Sequence, residues 1–164
     1  MREKPQNKLD PRIKMVWRIS DAVAITLIFL CIGLVGVLAW FFDESNRFWA
    51  EPYCLICAVV FVVVLVADLV AITPFRYARW RYQLFPDFLE IENSLIWRKH
   101  IVIPFIRVQN TDTRQGPLLR AFGLASVTVS TAGDSLEIPG LKSDVADEVR
   151  DRAAELARIA REDV

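Results

Sequence analysis

Ala22–Phe42, AVAITLIFLCIGLVGVLAWFF, and Cys54–Thr73, CLICAVVFVVVLVADLVAIT, are apolar runs of 21 and 20 residues that hold a single charge between them, Asp68. At ~1.5 Å of rise per residue, either run as a helix crosses the ~30 Å hydrocarbon core of a bilayer. The short polar segment between them leaves only an out-and-back path. The chain therefore divides into an N-terminus at 1–21, a two-span transmembrane hairpin at 22–73 with an outer loop at 43–53, and a tethered domain at 74–164. A cleaved signal peptide does not fit the first run, which is too long for an h-region and ends in Trp40, Phe41 and Phe42 instead of small residues.

Charge orients the hairpin. Arg2, Lys4, Lys8, Arg12, Lys14 and Arg18 precede the first span, Arg47 alone lies between the spans, and Arg76, Arg79 and Arg81 follow the second. The positive-inside bias then puts both termini and the domain in the cytoplasm and the loop outside. Trp17, Trp40 and Trp80 sit where amphipathic rings favour the interface. The first 21 residues carry six basic and three acidic groups, a surplus of +3 suited to anionic headgroups. From Pro74 onward thirteen basic groups balance thirteen acidic ones, which argues against a nucleic-acid partner.

Beyond Trp80 the apolar period becomes two. Phe88–Glu92 alternates, Asn93-Ser94 supplies a turn, and Leu95–Ile103 reads as the returning strand. Alternation resumes at Phe105–Asn110 and breaks at Gly116-Pro117. Ser126–Thr131 reads as a half-buried strand, and Gly133-Asp134 turns it into Leu136–Ile138, which should end at Pro139-Gly140. Val145, Val149, Ala153, Leu156 and Ala160 then form one apolar helical stripe, with Ser143 placed to cap it and acids early and arginines late to suit the helix dipole. Six or seven short strands followed by such a helix suggest a curved sheet or partly open barrel that the helix closes.

The segments Ile103–Gln109, Gln115–Ala125, Val127–Gly133 and Ile138–Leu141, together with the two spans, resemble the bacterial pleckstrin-homology-like domain of YdbS-type membrane-flanked proteins. The resemblance covers nearly the whole chain. It implies a two-helix transmembrane hairpin followed by an α+β, mainly β, pleckstrin-homology-like domain: two bent antiparallel sheets with a C-terminal capping helix. Within it Gln109, Gln115, Gly116, Pro117, Gly123, Gly133, Pro139 and Gly140 are motif positions expected to serve structure. The resemblance implies no reaction, and no cofactor or metal is expected.

Candidate chemistry is sparse. His100, the single histidine, sits in a strand beside Arg98 and Lys99 without a nucleophile or metal partner in any motif. Arg107, Arg114 and Arg120, with Gln109 and Gln115, surround one strand and the turn after it. Guanidinium forks suit phosphate, so an anionic headgroup or acidic peptide is one reading; pairing with Asp112 or Glu137 is the structural one. Asp68 is either a packing or interfacial-pairing residue, with Arg18 or Arg76 in reach, or part of a transport assembly. Cys54-x-x-Cys57 has redox spacing but no thioredoxin-like surroundings, and Cys31 reads as a small apolar residue. The function expected is membrane-anchored binding or scaffolding in envelope stress or antimicrobial resistance. Its partners would be the lipid bilayer, a second copy or another membrane protein, and anionic headgroups. The alternatives are an outward-facing thiol redox protein and a transport accessory using Asp68.

Orientation is directly testable. A reporter active only in the cytoplasm should work when fused after Val164, and a membrane-impermeant label should reach cysteines placed between Asp43 and Glu51; activity of an outside-only reporter at Val164 would reverse the topology.

Overall fold

A helix that leaves its apolar side chains uncovered needs an apolar solvent, and two such helices dominate the first half of the chain. In the computed structural model, which describes residues 5–42, 47–94 and 98–162, α1 spans Ile13–Phe42 and α2 spans Arg47–Ala67. Only 6% of each apolar window is buried within the protein, whereas a core helix of a soluble protein would be mostly covered. The two helices meet closely at Gly36, where an added Cβ would fall 2.5 Å from the Tyr53 ring. Tyr53 also donates its hydroxyl to the Ile32 carbonyl at 2.9 Å, and Phe29 meets Phe61 at 5.5 Å between ring centroids. Part of the expected outer loop is helical: Arg47–Tyr53 form the start of α2, and 43–46 lie outside the described residues. Pro52 lies inside α2, in its second turn, where proline supplies no N–H for the i→i−4 bond to the Phe48 carbonyl.

The second helix is not uniform. Asp68–Ile72 forms a π turn before α3 resumes at Thr73–Ala78. A π turn inserts one residue into the α ladder, and Nη2 of Arg18 donates to the Leu69 carbonyl within it at 3.1 Å.

The chain separates into two compact units, Trp17–Pro74 and a second made of Met1–Val16 with Phe75–Val164. The segment before the first span, set apart from the domain in the sequence reading, packs with it. Leu9 and Ile13 are 2% and 1% exposed. Tyr82 donates its backbone N–H to Asn7 at 3.1 Å, and Asp10 donates to Gly140 at 3.0 Å. Tyr77 adds its hydroxyl to the Leu9 carbonyl, and Lys14 stands over the Tyr77 ring. Burying Leu9 and Ile13 contributes roughly 3–6 kcal/mol as an upper bound, a large share of a small domain's net stability.

Two antiparallel sheets build the rest of this unit. The first holds β1 (Arg81–Leu84), β2 (Phe88–Ser94) and β3 (Arg98–Pro104) in that order. Asn93 and Ser94 belong to β2, paired with Lys99 and Arg98, so they do not form the turn expected there; 95–97 lie outside the described residues. After Pro104 the chain makes a 3-10 turn at Phe105–Arg107 instead of the alternating strand expected there, and Phe105 becomes fully buried. The second sheet holds β4 (Val108–Arg114), β5 (Leu124–Thr131) and β6 (Ser135–Lys142). A short helix, α4 (Pro117–Ala121), joins β4 to β5 where a plain break was expected; proline at its first turn is the signal for it.

Two further differences have physical causes. As the central strand, β5 is buried on both faces from Leu124 to Val129, including Ser126 and Thr128, so it is not half-solvated. β6 does not stop at Pro139-Gly140; a register shift between Ala125 and Val127 accommodates the pair as a bulge, with Gly140 at φ 62°. An added Cβ at Gly140 would overlap the Ile13 side chain, so the glycine is the surface on which the N-terminal arm, residues 5–16, lies. The closing helix, α5 (Ser143–Glu162), buries Ala146, Ala153, Leu156 and Ala157, a stripe rotated slightly from the one expected, with Val145, Val149 and Ala160 at its margins.

Two variants test the arm. A soluble chain in which a flexible linker replaces Trp17–Pro74 should unfold cooperatively, and Ile13→Ala in it should cost about 2–4 kcal/mol. Residues 75–164 alone should be markedly less stable by thermal or urea unfolding; equal stability would make the arm dispensable.

Candidate functional site

The motif positions act first on the fold. Gln115 donates through Nε2 to the Leu124 carbonyl at 2.8 Å and to Oγ of Ser143 at 3.0 Å, joining the end of β4 to the starts of β5 and α5. Ser143 in turn donates its backbone N–H to the Gly123 carbonyl at 3.3 Å, and its hydroxyl reaches the same carbonyl. It ties the helix start to Gly123 more than it caps the helix. Gly123 has φ 66°, a left-handed conformation that costs a side-chain-bearing residue about 1–2 kcal/mol. Gly116 precedes α4 in an extended conformation, and Pro117 opens that helix.

The three arginines singled out by type do not form one site. Arg114 and Arg120, both exposed, lie at the end of the second sheet where Ser126 and Ala125 pair. Ala125 faces Leu141, beside Gly140, so this is also the end that receives the arm. Arg107 is at the opposite end of β4, about 20 Å away for a strand of this length. Among the described residues, none of the three forms an ion pair with Asp112 or Glu137; Asp112 accepts from Asn110 at 2.7 Å. Arg107 instead meets Gln109, Gly133, Asp134 and Arg161 around a groove of about 590 Å³. Arg161 reads in the sequence only as a helix-dipole residue, and no local pattern reveals that the end of α5 returns to the start of β4.

Electrostatics elsewhere in the domain knit elements together. Arg150 is held charged chiefly by its hydrogen bond to Asp151, with further help from the charges of Asp151 and Asp147, and its Nη1 lies 3.4 Å from the Thr113 hydroxyl on β4. Burial, and secondarily the charge of Glu148, pushes the Tyr82 phenol above its ordinary value. His100 pairs through Nε2 with Glu90. Glu90 is 3% exposed, and its second carboxylate oxygen is buried with no hydrogen-bond partner among the described residues.

A family model described as Bacterial PH domain matches residues 13–157, taking in both long helices and nearly all of the domain. The chain belongs to the bacterial PH domain family. The UPF0699 transmembrane protein YdbS of Bacillus subtilis (strain 168) is similar to it, 32% identical over 166 residues and covering 100% of both chains. No solved structure matches the chain. It is thus a membrane protein with a bacterial PH domain, related to YdbS, and its two apolar helices form the hairpin.

The remaining candidates lie in that hairpin. Cys54 and Cys57 are free thiols one helical turn apart on α2. They line an apolar groove of about 350 Å³ with Thr26, Phe29, Gly33 and Phe61, and no charged residue contributes to its lining. Asp68 is 5% exposed at the start of the π turn. Arg18, one of the two partners expected for it, bonds the neighbouring Leu69 carbonyl.

If Gln115 is chiefly structural, Gln115→Leu should lower the stability of the full chain by about 1–3 kcal/mol, because it leaves the Leu124 carbonyl and Ser143 hydroxyl without this donor. Urea unfolding followed by tryptophan fluorescence reads this; an unchanged midpoint would contradict a structural role for the glutamine.

Proposed function

We propose that the chain is a membrane-anchored binding and scaffolding module of the bacterial cytoplasmic membrane, with its domain in the cytoplasm and recruitment as its mechanism. The observation that carries this reading is the make-up of the soluble unit, which takes Met1–Val16 from before the first span and Phe75–Val164 from after the second. The domain is thereby tethered to the bilayer at two points. Tethering raises effective concentration, so weak contacts with headgroups, a second copy or another membrane protein become sufficient. The basic flanks support the cytoplasmic orientation. Edge strands β3 and β4, with the exposed side of α5 around Ile159, offer surfaces for a protein partner.

Arg114 and Arg120, both exposed at one end of the second sheet, are the residues we assign to an anionic headgroup. A basic residue near an anionic surface contributes about 1 kcal/mol, roughly fivefold in affinity, and screening acts over ~10 Å at 0.1 M salt. Retention of phosphatidylglycerol over phosphatidylcholine by the full chain, read by native mass spectrometry, should fall in Arg114→Gln and Arg120→Gln and should weaken with salt. Unchanged retention in both variants would remove the headgroup contact. Crosslinking in membranes should then capture a second copy or a membrane protein; an intact chain that crosslinks to neither would contradict the scaffold.

A further inference from the structure

The groove at Arg107 lies where three elements end together: the 3-10 turn running into β4, the β5–β6 turn, and the last turn of α5. Its volume of about 590 Å³ is within the ~300–1,000 Å³ range of small-molecule sites. Two features distinguish it from a simple gap at a sheet end. Nη2 of Arg161 donates to the Val108 carbonyl at 2.9 Å, which fixes a long side chain in advance and leaves its other N–H groups for a ligand. The register of β4 slips between Val108 and Asn110, so Gln109 falls out of the ladder at the groove wall, and such bulges re-aim side chains beside binding sites.

The charges around the groove favour an anion. Arg107 is exposed, and the carboxylate of Asp134 is engaged in its own turn by the Ser135 N–H at 2.9 Å. Glu162, next to Arg161 in sequence, is held by Arg158 at 3.1 Å. The carboxyl end of α5 contributes partial negative charge, which the Arg161 guanidinium offsets. Two guanidinium forks supply more donors than one carboxylate uses and suit the oxygens and double charge of a phosphate monoester. Ile106, 48% exposed on the same groove, offers an apolar contact for the organic part.

We propose that this groove binds the phosphate group of a phosphorylated ligand, with Arg107 and Arg161 gripping the oxyanion and Gln109 at its edge. The site is separate from Arg114 and Arg120, so it stands or falls independently of the headgroup contact proposed for them. The phosphate has two sources, a soluble ester or a phosphomonoester lipid headgroup, and the chemistry of the grip is the same for both.

Calorimetric titration of the full chain in phosphatidylcholine nanodiscs with phenyl phosphate tests it, with phenol as the control. Saturable binding is expected for phenyl phosphate only, weakened about tenfold by Arg107→Gln and by Arg161→Gln. Arg107→Gln should keep the parent's unfolding temperature, which separates binding from folding should Arg161→Gln disturb β4. Replacing part of the phosphatidylcholine by phosphatidic acid distinguishes the sources: competition with phenyl phosphate assigns the site to a headgroup, and unaltered titration assigns it to a soluble ester. Absence of saturable binding, or binding that Arg107→Gln leaves unchanged, would overturn the proposal.

Discussion

The packing of Ile13 on Gly140 is the contact on which the architecture turns. It needs a residue without a side chain at a left-handed backbone position in β6, and a β-branched residue at the start of a helix that goes on to become the first span. The Asp10 and Tyr82 amides complete it by bonding the arm to β6 and β1. A β1 edge otherwise open to pairing is partly occupied by the chain's own N-terminus through the Asn7–Tyr82 bridge. The hairpin is thus inserted between two segments of one unit, and both contribute to its core.

Such an insertion constrains the membrane part as well. Two spans, an even number, would return the chain to the side it left, as a unit built from both flanks requires. Lipid contributes little to choosing between helix pairs, so the hairpin relies on close packing at Gly36 and on the Tyr53 hydroxyl bond. The π turn at Asp68–Ile72 is the one irregularity in the described part of the second span, and the Arg18 guanidinium satisfies a carbonyl there.

Local patterns were legible in the sequence, and contacts between distant segments were not. The spans follow from composition, and α5 and most strands follow from period. The arm was harder to see, although Leu9, Ile13 and Val16 stand at spacings of four and three, because Lys8, Arg12 and Lys14 between them look like an ordinary basic flank. Pro139-Gly140 reads as a strand end unless one knows that another segment needs that surface. Arg107, Arg114 and Arg120 are neighbours in sequence, yet a seven-residue strand is long enough to put Arg107 and Arg114 at opposite ends, and only the three-dimensional fold brings Arg161 to Arg107. Gln115 and Gly123 stand close in the sequence, and hydrogen bonds through Ser143 link them in the fold.

Hydrogen exchange on the full chain in nanodiscs tests the central claim most directly. If the arm is part of the fold, the Asp10 and Tyr82 amides should be protected on the timescale of the β5 core amides and should be released with them in one cooperative step. Exchange at Asp10 as fast as at an unstructured terminus, with β5 still protected, would show that the domain closes without its N-terminal segment and would contradict the account.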